Sequence, residues 1–333
     1  MEAPQEMRRL VNGYQVSEAI RVVAVLRVSD LLADGPRDLA ELADATGCHP
    51  GSLYRLLRAL ASIGVYEELP DRRFGTTPLG ETLESGRSES LAPWAEHTSR
   101  PYVREAWARL LDGVRTGENA FARVHGQSVW EYRAEHPDEG ALFDAGMVSF
   151  AATAARQVLD AYDFGGFATV VDVGGGHGGL LAAILSRNPT QRGVLFDQSH
   201  VVAGASEVLR ARGIEDRCQL VAGNFFDAVP SGGDAYILKS IVHDWEDAEA
   251  LTILRNCRGA MNGSAFLLLV ERDLGQANEN PAVKFSDLNM FVSPGGRERT
   301  QEEYDALLAA SGFRRTRTVP TADDVMVIEA APV

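Results

Sequence analysis

From residue 169 onward the chain alternates strand-like apolar runs with helical stretches, and that alternation leaves few folds open. TVVDV (169–173), GVLFD (193–197), CQLVAG (218–223), DAYILKS (234–240) and AFLLLVER (265–272) are short and rich in Val, Leu and Ile. Runs like these mark strands buried on both faces, as in a parallel sheet with helical crossovers. RTRTVP (315–320) and DVMVIEA (324–330) supply a hairpin that brings the sheet to seven strands. The expected class is therefore α/β, with the sheet domain over residues 156–333 and a boundary near YDFGGFATV.

Residues 1–155 read differently. Ile20, Val23, Ala24, Arg27 and Leu31 recur at helical spacing over 17–34, with Ser17 available as an N-cap. DLAELADATG (38–47) is a short helix stopped by glycine, and PGSLYRLLRALASIG (50–64) is a second with Leu53, Leu56, Leu57, Leu60 and Ile63 on one face. VYEELPDRRFGTTPLG (65–80) follows as a polar ribbon, giving a winged-helix-like order. Five arginines face six acids between Arg37 and Arg73, so the module is no basic patch for DNA.

A formal charge of −15 over 333 residues further disfavours a polyanionic partner. VVAVL and AFLLLV are far short of the roughly 20 apolar residues a membrane helix needs, so no membrane partner is expected. Cys48, Cys218 and Cys257 stand singly, which suits reduced thiols and a cytoplasmic location.

Chemistry gathers after the strands. The first runs into VDVGGGHGG (171–179), where Gly174, Gly176 and Gly179 satisfy GxGxxG and leave a nicotinamide or flavin dinucleotide possible. Asp197, ending the second strand, is placed to accept from ribose hydroxyls. Asp172 would repel a pyrophosphate but suits the ammonium and sulfonium end of S-adenosylmethionine; it could also simply cap a loop N–H. In AGNFFDAVP (222–230), Asn224 can accept from an adenine amino group and Phe225 or Phe226 can lie against the ring, or both phenylalanines can be core. After the fourth strand comes KSIVHDWEDAEA. Asp244 and Asp247 suggest a capping-box start for a helix running to Asn262-Gly263, which puts His243 at a strand's carboxyl end beside a helix N-terminus. A helix dipole there predicts a neutral ring able to take a proton, or else a histidine packed on Trp245.

With these motifs, and with AWARLLDGVRTGENAF, HGQSVWEYRAEHPDEGALFDAGM and GGRERTQEEYDALLAASGF, nearly the whole chain resembles the plant-type small-molecule O-methyltransferases and their bacterial natural-product relatives. The resemblance implies a Rossmann-like class I methyltransferase domain behind an N-terminal dimerisation region that forms a homodimer and helps wall the acceptor pocket. It implies S-adenosylmethionine as cofactor, held by Gly174, Gly176, Asp197, Asn224, Phe225, Lys239 and Trp245 beside the Asp172 already assigned from its charge, with S-adenosylhomocysteine as product. It assigns His243 as general base flanked by Glu271 and Glu298, and Phe143, Met147, Asn289 and Ser293 to the pocket. Asn224 departs from the acid common in the family, which predicts retuned adenine binding.

The implied reaction is in-line attack by a phenolic or enolic oxygen on the sulfonium methyl, with a neutral imidazole contributing about 10²–10⁴-fold. No metal is required, and the histidines show no HxxxH or HExxH spacing. A methyltransferase-like hydroxylase, decarboxylase or C- or N-methyltransferase remains an alternative, as does a nicotinamide oxidoreductase.

Overall fold

The computed structural model describes residues 2–322 and 324–333. It divides into two compact units: one comprises the chain up to Glu105 together with Glu131–Phe150, and the other Ala106–Trp130 together with Ala151–Val333.

In the first unit, strands β1 (Arg37–Asp38), β2 (Tyr66–Leu69) and β3 (Arg73–Thr76) form a small antiparallel sheet in the order β1-β3-β2. Helices Leu39–Thr46 and Pro50–Ala61 pack Leu42, Leu53, Leu57 and Leu60 against Val23, Leu32 and Phe74. The local signals act as expected. Asp38 accepts from the Glu41 N–H at 2.8 Å in a full capping box, and Gly47 ends the helix at φ 64°. The single helix expected over 17–34 is instead two, Gly13–Val25 and Val28–Leu32. Arg27 breaks it by adopting φ 54°, a left-handed conformation held by its bonds to Asp30 Oδ2 and Ser85 Oγ, both 2.7 Å. Ser17 is consequently mid-helix.

The second unit is built on a seven-stranded sheet. Its strands are β4 (Thr169–Val173), β5 (Arg192–Asp197), β6 (Cys218–Ala222), β7 (Ala235–Lys239), β8 (Phe266–Arg272), β9 (Phe313–Pro320) and β10 (Val325–Pro332), in the order β6-β5-β4-β7-β8-β10-β9. The first five are parallel, and the β9–β10 hairpin joins β8 antiparallel. Alternate residues of each strand feed two apolar layers. Val171, Val173, Tyr236, Leu238, Leu267 and Leu269 point into one, and Val170, Leu195, Ala235, Ile237, Leu268 and Val270 into the other. Strand order reverses on either side of β4, so the crevice outside the carboxyl ends of β4, β5 and β7 is where a ligand of this architecture lies.

Candidate active site

At the end of β4 the chain turns through VDVGGGHGG, and Gly175 shows why the turn is glycine-rich. A Cβ there would lie 2.4 Å from Leu195 Cδ1 and 2.7 Å from Asp172 Oδ2. The Gly176 N–H, at φ 59°, donates to Asp197 Oδ2 at 2.8 Å, while Asp197 Oδ1 accepts from Gln198 N at 2.7 Å. The end of β5 is thus tied to the loop after β4. Asp172 is 1% exposed and the Leu181 N–H faces its carboxylate, yet its Oδ2 accepts no hydrogen bond. Burial, opposed by Lys239 and reinforced by Asp197, pushes its carboxyl up to about 7. Lys239, half-buried at the end of β7, is lowered by the same desolvation and pulled back by Asp172 and Glu271.

Beyond β6, Asn224 turns its Oδ1 onto the Phe226 N–H at 3.0 Å, and Asn256 donates to the carbonyls of Phe225 and Phe226 at 2.9 and 2.8 Å. Both phenylalanines meet Trp245 edge-on, with centroids at 6.0 and 4.7 Å, and Trp130 stacks on Trp245 at 6.3 Å. These rings also border the core.

The segment after β7 carries the strongest chemistry. Ser240 is forced to φ 55°, after which Val242–Asp244 forms a single 3-10 turn. The helix begins only at Asp247 with Glu246 as N-cap, so the expected Asp244 cap is not made. Asp247 is taken instead by Arg299, whose Nη2 and Nε donate to its Oδ1 at 2.8 and 3.1 Å. His243, 6% exposed, places Nδ1 3.1 Å from Glu271 Oε2 and 3.5 Å from Glu298 Oε2, and Nε2 3.6 Å from Asp244 Oδ1. Neither Nδ1 approach is aligned as a directed hydrogen bond, so ring and acids meet as an ion-pair cluster. Each acid is fixed by its other oxygen. Glu271 Oε1 accepts from the N–H groups of Ile241 and Val242 at 3.1 and 2.8 Å; Glu298 Oε1 accepts from Ser286 Oγ at 2.8 Å and Arg272 Nη1 at 3.4 Å.

The neutral ring expected from the helix dipole is overturned here. Burial alone would lower the His243 pKa, but Glu271 and Asp244, then Glu298, outweigh it and raise it well above the ordinary value. The helix starts too far along the chain for its dipole to compete with carboxylates in contact. Glu298 shows the complement, since His243 and Arg272 override its desolvation and lower it.

Two further residues, which the sequence reading passed over, hold the turn. Arg299 is fully buried and donates from Nη1 to Val242 O at 2.9 Å and from Nη2 to Trp245 O at 2.8 Å, bracketing His243. A Cβ on Gly296 would sit 2.1 Å from His243 O, so only glycine lets the two backbones meet, and Arg297 N donates to that carbonyl at 2.8 Å. Both belong to GGRERT, where the density of Gly and Arg was the available signal. Asn289 lies one turn beyond Ser286 on helix Pro281–Val292, with its Oδ1 accepting from Trp107 Nε1 at 3.3 Å; Ser293, which follows the helix, is anchored through its carbonyl by Asn119. Phe143 and Met147 lie in the part of helix Pro137–Ala161 that belongs to the first unit, where Arg133 sits 3.5 Å over the Phe143 ring.

Comparison with known proteins agrees with this geometry. Residues 107–314 match the O-methyltransferase domain and residues 8–86 the O-methyltransferase dimerisation domain. Phenazine O-methyltransferase PhzM of Lysobacter antibioticus is 44% identical over 98% of this chain and 95% of its own length. The crystal structure of LaPhzM superposes with a TM-score of 0.95 at 42% identity, covering 100% of both chains. NcsB1, an O-methyltransferase from neocarzinostatin biosynthesis solved with S-adenosylmethionine and 2-hydroxy-5-methyl naphthoic acid, gives 0.80 at 33% identity over 96% of each chain. The chain therefore belongs to the O-methyltransferase family.

Proposed function

We propose that the protein transfers the methyl group of S-adenosylmethionine to a phenolic or enolic hydroxyl of a small planar aromatic acceptor. The observation that carries this is His243, held between Glu271 and Glu298 at the carboxyl end of β7, with the buried Asp172 at the end of β4. The ammonium of the cofactor answers Asp172, the ribose hydroxyls Asp197, and the adenine Asn224, Phe225 and Trp245. Gly174 and Gly176 give the backbone room, and Lys239 balances charge between Asp172 and Glu271. Phe143, Met147, Asn289 and Ser293 contact the acceptor.

His243 Nε2 takes the acceptor's proton as its oxygen bonds to the methyl carbon and the carbon–sulfur bond breaks to leave S-adenosylhomocysteine. Glu271 and Glu298 orient the ring through Nδ1 and stabilise the imidazolium. Since the acids favour a protonated ring in the free protein, that proton must leave before turnover.

The N-terminal region, to about residue 155, acts as a winged-helix-like dimerisation module of a homodimer. Helix Ala3–Val11 buries none of its residues and leaves Met7, Leu10 and Val11 exposed, which suits a second copy. Excess negative charge argues against nucleic acid, and no helix among the described residues is long and apolar enough to cross a membrane. Three unpaired cysteines suit the cytoplasm.

The test is His243→Ala with a panel of phenolic acceptors, read as gain of one methyl by mass spectrometry. Turnover should fall by about 10²-fold or more while cofactor binding by calorimetry is nearly unchanged. Intact binding with activity within about threefold of wild type would remove His243 as the base.

A further inference from the structure

Among the buried polar atoms of the active site that lack a directed hydrogen bond, three lie together: His243 Nδ1, Glu271 Oε2 and Glu298 Oε2. They come from the turn after β7, the end of β8 and the GGRERT segment, and their donor atoms lie within 4.8 Å of one another. The side chains are 8%, 0% and 0% exposed. We propose that these three atoms form a site for a first-row divalent cation, Zn²⁺ in particular, and that its occupancy silences His243 as a base.

The geometry suits such an ion. Zinc binds imidazole and carboxylate at about 2.0–2.2 Å, so two donors on one tetrahedral ion stand roughly 3.3–3.5 Å apart. The two Nδ1–Oε2 separations, 3.1 and 3.5 Å, need little adjustment. The outer oxygen of each acid is already held, Glu271 by two backbone N–H groups and Glu298 by Ser286, which is the supporting arrangement that orients metal-binding carboxylates. Glu298 also lines a cavity of about 290 Å³ that mixes Glu246, Asp287 and Arg297 with the apolar Leu274, Leu288 and Phe291.

The consequence for catalysis follows from tautomers. A base working through Nε2 carries its proton on Nδ1, toward the acids. A neutral imidazole that binds metal through Nδ1 must carry it on Nε2, where no lone pair is left for the acceptor. Metal and ring proton therefore compete, and affinity rises with pH. The charged groups facing the cluster set that balance. Asp244 and the two acids favour either cation, while Lys239 and Arg272 oppose both, and the buried Tyr304 hydroxyl faces Glu271 and Glu298.

Metal binding stands apart from the methyltransferase reading; only the silencing rests on it. Co²⁺ titrated into the purified protein should give one visible-absorbing equivalent without a thiolate charge-transfer band, displaced by Zn²⁺. Calorimetry in buffers of different ionisation enthalpy should show about one proton released per ion at neutral pH. His243→Ala and Glu298→Gln should each weaken Co²⁺ by at least about tenfold, and Glu298→Gln, which keeps shape and volume, decides the matter where His243→Ala melts early. Unchanged Co²⁺ affinity in a folded Glu298→Gln, or a thiolate band lost in Cys48→Ser, would overturn the site. S-adenosylmethionine binding is measured on the same samples. Its absence would sink the methyltransferase reading while leaving the metal result intact.

Discussion

Replacing Arg299 with lysine tests whether the His243 turn is held by the buried guanidinium rather than by its own sequence. The fork reaches Val242 O, Trp245 O and Asp247 at once, and an ammonium at the end of a flexible stem cannot keep all three. Asp247 is 57% exposed, so its ion pair is worth under about 1 kcal/mol, and most of the value lies in the two carbonyls. Losing two charge-assisted bonds at about 1.5 kcal/mol each costs roughly 3 kcal/mol. For a unit of this size that lowers Tm by about 6–12 °C. The turn then loosens, and an imidazole displaced by about 1 Å costs about 10²-fold in kcat. Differential scanning calorimetry reads the first effect and methyl transfer to an active acceptor the second, while cofactor affinity, which we propose the β4 and β5 loops set, should stay nearly constant. Asp247→Ala, as a control, should move Tm by no more than about 2–4 °C. Arg299→Lys with Tm within about 2 °C and kcat within about threefold of wild type would refute the clamp.

Asp197→Ala should weaken S-adenosylmethionine by about tenfold while leaving the acceptor KM nearly alone; equal losses would argue against the ribose role. Asp172 has a folded pKa of about 7, raised above that of an exposed carboxyl. Its contribution to stability is therefore present in acid and lost as pH rises through that value, whereas binding an ammonium needs the ionised form. Cofactor affinity should climb by up to about tenfold per unit toward pH 7 and then level off, a slope that Asp172→Asn abolishes; an equal slope in that variant would transfer the effect to another group. Gly296→Ala, with its Cβ driven against His243 O, should cost about 1–3 kcal/mol and most turnover, and a variant as stable and active as wild type would show that the GGRERT backbone yields.

What the sequence made legible was whatever a local pattern encodes. The β4 to β8 runs are buried on both faces and so read as unbroken apolar stretches, and Asp38 with Glu41 or Gly47 announce their own helix ends. Arg27 was not legible, because periodicity constrains a face and not the φ of one residue. HDWED offered several acids for one cap, and the choice was made by Arg299, which claims Asp247 from far along the chain. The charge of His243 failed for the same reason. A helix dipole can be inferred from neighbours in sequence, but the acids that decide the ring's protonation arrive from β8 and from GGRERT, and only the resemblance named them.

Asp172 and His243 are both biased toward holding a proton, one because burial leaves its carboxylate short of partners and the other because carboxylates crowd its ring. Lys239 stands between them, lowered by burial and leaning on Asp172 and Glu271. Buried negative charge is therefore neutralised at both ends of the site before any ligand arrives. In the proposed reaction an ammonium supplies positive charge to Asp172 in place of its proton, and the imidazole must give up its own proton before it can act as base. The acids around His243 enter that proposal together with the imidazole, because they set how tightly the proton that must leave is held.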